Sequence, residues 1–108
     1  QSAIFGEDHI LPMRASAPED QAFMQDYLSA YCFGDTYTRN GLELETRELL
    51  TFVAIISMGG CDPQARAHAA GNVAVGNDAR TLFAAIATCV PYLGFPRSLN
   101  AMAAVNNI

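Results

Sequence analysis

Apolar residues recur along most of this chain at the three-and-four spacing of an amphipathic helix, and nowhere do they alternate with polar residues over the length of a strand. The first fifteen residues lack such a period and are read as an irregular N-terminal arm. In "SAPEDQAFMQDYLSAYCFG", Ser16 is placed to cap a helix and Pro18 stands near its first turn, while Glu19 and Asp20 suit the positive end of the helix dipole. A helix over 18–31 follows, with Phe23, Tyr27 and Tyr31 one turn apart, Met24 and Leu28 beside them to complete an apolar stripe, and Gly34 as its stop. "FGDTYTRNG" reads as a connector that turns at Asn40 and Gly41.

"LELETRELLTFVAIISMGG" starts near Glu43 and stops at the pair Gly59 and Gly60. Its second half is apolar all round, which predicts a helix covered by neighbours rather than one lying on a surface. In "CDPQARAHAAGNVAVG", Asp62 reads as the N-cap, Pro63 as the first helical residue and Gly76 as the residue past the end. Its alanines and Gly71 leave little bulk, so other helices can come close. "NDARTLFAAIATCVPYLG" opens at Asn77 or Asp78 and is expected to bend or end where Pro91 removes a backbone donor, at about Val90. A last helix from near Pro96 brings Leu99, Met102, Ala103 and Ile108 onto one side. The fold class is all-α.

A length of 108 residues fits one domain. Apolar residues make up 51% of it and charged residues only 16%, against a usual share of about 25%, so one subunit is left with apolar surface to cover. Self-association is the simplest cover. A net charge of -5, with six scattered basic residues, argues against a nucleic-acid partner, and no basic stripe offers itself to a membrane surface. The apolar run "LLTFVAIISM" is about half of the ~20 residues that span a bilayer. No charged region leads into an apolar run at the N-terminus, so no signal peptide is expected and the cytoplasm is the expected compartment. Cys32, Cys61 and Cys89 are odd in number, widely spaced and without a C-x-x-C, which predicts reduced thiols rather than a disulfide framework or a zinc site.

Chemistry concentrates in "GGCDPQARAH". On a helix from Pro63, Gln64 and His68 share a face, and Cys61 sits in the turn that leads to it. A thiol at a helix N-terminus is favoured as thiolate, and an imidazole nearby could take its proton. A second reading stands beside this one, with Cys61 a small buried filler and His68 a hydrogen-bonded interior histidine. Glu48 shares a stripe with Phe52, Ile55 and Ile56, so its carboxyl points where apolar side chains point, an arrangement suited to proton transfer. The alternative is a first-turn acid that serves the helix dipole with its head in water. Arg39, Arg47, Arg66 and Arg97 are candidate anchors for an anionic substrate, or ordinary surface charges.

Over residues 33–106 the chain resembles the carboxymuconolactone decarboxylase family, which lies within the alkylhydroperoxidase D-like superfamily. The resemblance is carried, in order, by "FGD", "TRNGL", "TREL", the Gly59-Gly60 stop, "PQARAH", "NVAVG" and "GFPR" with Asn100. It implies an alkylhydroperoxidase D-like helical bundle that oligomerises through its helices, as a trimer or hexamer. In the thiol branch of that superfamily a glutamate, a C-x-x-C pair and a histidine form a proton relay. Glu48 takes the glutamate position if the glycine pair carries a one-residue insertion, Cys61 that of the first cysteine and His68 that of the histidine. Gln64 replaces the second cysteine, and an amide cannot close a disulfide.

The favoured function is therefore a cofactor-independent, metal-independent lyase reaction on a small lactone or carboxylate. His68, Glu48 and Cys61 are its candidate catalytic residues, and Arg47, Arg97 and Gln64 its candidate substrate contacts. Two rivals remain. One is a peroxidase or thiol-dependent reductase in which Cys61 is oxidised to a sulfenic acid and resolved by an external thiol. The other is a helical oligomer that binds a small molecule without transforming it.

Overall fold

The computed structural model describes residues 1–108 and is all-α. Two compact units divide the chain, Gln1–Leu44 and Glu45–Ile108.

In the first unit the expected irregular arm is instead two helices, α1 (Ser2–Phe5) and α2 (Glu7–Ala15). Gly6, at φ 81°, breaks between them, and Glu7 and Asp8 supply acids to the first turn of α2. Each helix buries one isoleucine, Ile4 and Ile10, so no single period joins them and a scan for one stripe finds nothing. A 3-10 turn (Glu19–Gln21) leads into α3 (Ala22–Tyr27), which passes directly into a π-helical segment (Leu28–Thr36). Gly34 does not stop the helix as expected. A Cβ at Gly34 would lie 3.2 Å from the Ser29 carbonyl oxygen, and the wider winding continues through it to the Tyr37 N–H, which donates to Cys32 O at 3.1 Å. The Phe23, Met24, Tyr27, Leu28 and Tyr31 stripe is exposed rather than buried, and the Tyr27 and Tyr31 rings stack with centroids 5.3 Å apart. Arg14 ties α2 to α3 and beyond through Asp26 at 2.6 Å and Ser29 at 2.5 Å.

The second unit holds α4 (Leu44–Met58), α5 (Asp62–Ala74), α6 (Ala79–Leu93) and α7 (Phe95–Asn106). Gly59 and Gly60 both take positive φ and end α4 as expected. Cys61, not Asp62, is the residue that caps α5; its carbonyl accepts from the Ala65 N–H at 2.8 Å, and Asp62 falls within the first turn. Asp78 caps α6 by accepting from the Thr81 N–H at 2.9 Å. Pro91 neither bends nor ends α6 at Val90. It sits in the last turn, where its missing donor costs one bond, and the Gly94 N–H closes the helix on Val90 O at 2.9 Å.

The core of this unit joins Phe52 and Ile56 of α4, Ala65 and Ala69 of α5, Leu82 and Ile86 of α6, and Ala101, Ala104 and Val105 of α7. Small residues on α5 and α7 let those helices pack closely on each other. The expected side of α7 is only partly the inner one: Met102 is half-buried against the core, Leu99, Ala103 and Ile108 are exposed, and Ser98, Ala101, Ala104 and Val105 face inward. The Ser98 hydroxyl is satisfied within its own helix, donating to Gly94 O at 2.7 Å.

Candidate functional site

Glu48 stands on the second turn of α4, four residues before Phe52, and shares that residue's inward face. Its exposure is 0%, so the reading of a first-turn acid with its head in water does not hold. A carboxyl this deep requires polar partners, because leaving one unmet in a core costs several kcal/mol. One partner is His68 on α5, whose Nδ1 lies 2.5 Å from Glu48 Oε1. The His68 side chain is 13% exposed, so the pair has a buried acid at one end and an imidazole that reaches solvent at the other.

Contact through Nδ1 settles which nitrogen holds the ring. An imidazole presents two distinct nitrogens, and when a carboxylate accepts from Nδ1–H the remaining one, Nε2, is the atom suited to exchange a proton with another molecule. The arrangement can therefore orient an imidazole and leave Nε2 to move a proton.

Asn72, which the sequence reading passed over, completes the surroundings of the pair. It is fully buried, and its amide nitrogen donates to the carbonyl oxygens of both Glu48, at 3.2 Å, and His68, at 2.8 Å. The available signal was an asparagine one turn beyond the histidine on an alanine-rich helix.

Cys61 does not join this pair. It lines a separate cavity of about 20 Å³ with Ile55, Gly59, Arg97, Asn100 and Ala101, which neither Glu48 nor His68 borders. That volume holds about one water molecule. Arg97, in the first turn of α7, lies along the α4 to α5 turn, so close that a Cβ on Gly59 would sit 2.8 Å from its Nε. None of the three cysteines is in a disulfide. Gln64 is exposed on the first turn of α5, and Arg47 is half-buried on α4 next to Glu48. Arg39 and Arg66 are exposed. No three His, Cys, Asp or Glu side chains gather closely enough to hold a metal ion, and no helix is long and apolar enough to cross a membrane.

Residues 23–107 match the family model described as the carboxymuconolactone decarboxylase family. The match begins ten residues before the motif resemblance and takes in all but the first residue of α3, the π-helical segment and the helices α4 to α7. No curated protein matches the chain.

Proposed function

Since the chain belongs to the carboxymuconolactone decarboxylase family, we propose that it performs cofactor-independent lyase chemistry on a small lactone or carboxylate, with His68 as the acid and Glu48 as the group that orients it. The observation that carries this reading is the 2.5 Å contact between a fully buried carboxyl and the Nδ1 of a partly exposed imidazole.

In such a reaction the bond between the ring carbon and the departing carboxylate breaks, and its electron pair flows through the conjugated system into the lactone carbonyl. Carbon dioxide leaves, and a dienolate remains. His68 delivers the proton from Nε2 to carbon and stabilises the oxyanion until it does so, while Glu48 holds the imidazolium through Nδ1. One proton is consumed for each carbon dioxide released, and solvent returns it to the ring. Arg47, beside Glu48 in sequence, and Arg97, which lines the small cavity, are the residues we assign to the substrate carboxylates.

The site also argues for a homo-oligomer. The cavity beside Cys61 and Arg97 is separate from the Glu48 and His68 pair and, at about 20 Å³, too small for a lactone, so in this reading a neighbouring copy supplies further walls. Leu50, Met58, Tyr92, Phe95, Leu99 and Ile108 are each more than half exposed in one subunit, and association of copies, as a trimer or hexamer, would cover them.

A second reading keeps one specific observation. Cys61 stands at the N-terminus of α5 and shares its cavity with Arg97, so a peroxidase route through a Cys61 sulfenic acid is the alternative. Purified protein assayed in parallel for carbon dioxide release from carboxymuconolactone and for hydroperoxide consumption with an external thiol separates them. Turnover of the lactone is expected; turnover of hydroperoxide alone would overturn the lyase reading.

A further inference from the structure

The Glu48 to His68 contact joins two helices whose core residues, Phe52 and Ile56 on α4 and Ala65 and Ala69 on α5, are otherwise apolar. Apolar packing of this kind resists separation more than sliding, because dispersion contacts carry little direction. A hydrogen bond of 2.5 Å does not tolerate sliding: a shift of about 1 Å takes it beyond bonding distance. Something in the interface has to fix the register.

Asn72 has the geometry for that. Both hydrogens of its amide are committed to main-chain oxygens of the two residues that carry the pair, Glu48 O across the interface and His68 O one turn back in its own helix. Its Oδ1 accepts from Asn77 Nδ2 at 2.9 Å. The same Asn77 nitrogen donates to Glu45 O at 2.7 Å, three residues before Glu48 on α4, and the Asn77 N–H donates to Asn72 O at 2.8 Å. Two amides in series thus bind the first turns of α4 to the second half of α5 through backbone atoms. An apolar side chain in the place of Asn72 could fill the space without needing partners. What the amide adds is direction, and it is directed at the backbone that holds Glu48 and His68.

We propose that Asn72, backed by Asn77, is a positioning residue that fixes the register of α4 against α5 and so brings the Glu48 carboxyl to His68 Nδ1. Its catalytic consequence rests on the lyase reading; its geometric content does not.

The test reads the His68 ring directly, by nitrogen and proton NMR of the imidazole in the full chain. His9 is the other histidine, and His9→Gln removes its signals. In the unsubstituted protein the Nδ1 proton of His68 is expected far downfield, held by the carboxyl. Asn72→Ala should move it upfield or abolish it, and should lower kcat on carboxymuconolactone about tenfold or more with a smaller change in KM. Asn77→Ala should shift the resonance in the same direction by less. Asn107→Ala removes an exposed amide of the same type, on Ala103 O at the end of α7, and should leave the resonance in place. An unchanged His68 resonance in folded Asn72→Ala, or in Asn77→Ala should the first variant not fold, overturns the proposal. Failure of the unsubstituted protein to release carbon dioxide would instead sink the lyase reading, and the resonance would still decide the role of Asn72.

Discussion

Glu48 Oε1 and His68 Nδ1 meet at 2.5 Å although 20 residues separate them in the chain. The contact gives the imidazole a fixed orientation and a carboxyl partner, which Cys61, on its own cavity, does not share. If the lactone is the substrate, His68→Ala should lower turnover by about 10²-fold or more, the scale for losing a positioned acid or base. Cys61→Ser should cost much less, and Glu48→Gln should fall between if Glu48 only orients the ring. Steady-state rates of the three variants check the order; loss of all activity in Cys61→Ser with most retained in His68→Ala would hand the site to the thiol.

The same contact has a cost when broken from one side. His68→Ala leaves the Glu48 carboxyl buried without its imidazole, a situation that destabilises by about 3–5 kcal/mol. Glu48→Gln, which removes the buried charge along with the pairing, should destabilise less. Urea unfolding followed by far-UV circular dichroism measures both, and equal losses would contradict the picture of a buried carboxyl that has lost its imidazole.

Gly59 and Gly60 differ in one respect. Both take positive φ, 73° and 71°, so alanine at either should cost about 1–2 kcal/mol from the backbone alone. At Gly59 the new Cβ would also meet Arg97 Nε at 2.8 Å, whereas at Gly60 it would meet nothing within 4 Å. Gly59→Ala should therefore be the more damaging, and the difference should vanish in an Arg97→Ala background. A difference that persists there would show that Arg97 is not what Gly59 makes room for.

Asp78 predicts an acid limb in stability. The Thr81 N–H and hydroxyl bonded to its carboxylate hold it below its ordinary value of 3.8. A group depressed on folding contributes stability that is fully present above the unfolded value and is lost as pH falls from 3.8 through the lower folded value. Asp78→Asn keeps a capping oxygen but does not titrate. Melting temperatures of the two proteins should differ above pH 4 and converge as the solution is made more acid; a constant difference would contradict the assignment.

Light scattering at micromolar concentration is expected to give a trimer or hexamer, since α4 leaves Leu50 and Met58 and α7 leaves Leu99 uncovered within one subunit. A single species at 11.6 kDa would remove the support for shared walls around the site.

Much of the second unit could be read from the sequence because its boundaries are written in local chemistry. A glycine pair ends α4, a proline opens α5, and an aspartate that accepts from a main-chain N–H opens α6. The inner face of α7 could not be read in that way. Side-chain size pointed to Leu99 and Met102, yet α5 presents alanines, and a helix that approaches alanines closely does so with Ser98, Ala101 and Ala104. The N-terminal helices were hidden for a related reason, each offering one buried isoleucine and no stripe.

At the candidate site, Glu48 and His68 were legible as residues out of place, a carboxyl on an apolar stripe and an imidazole among alanines. Their contact was not, since spacing within one helix says nothing about which residue of another helix lies opposite. Asn72 was the least visible. Nothing about an asparagine in a helix shows that both its donors go to main-chain oxygens, one of them 24 residues away.

The chain contains no tryptophan, so its near-ultraviolet emission comes from four tyrosines. Tyr27, Tyr31 and Tyr37 lie in the Gln1–Leu44 unit, two of them stacked, and only Tyr92, almost entirely exposed, lies in the unit that carries Glu48 and His68. Stacking of Tyr27 on Tyr31 couples the two rings as chromophores, whereas Tyr92 is already bathed in water in the native subunit and changes little when its helix melts. Tyrosine fluorescence is thus a reporter of the N-terminal unit and nearly blind to α4 and α5. Unfolding curves recorded by emission and by backbone dichroism would therefore weight different parts of the molecule, and any gap between them would measure how far the two units melt independently.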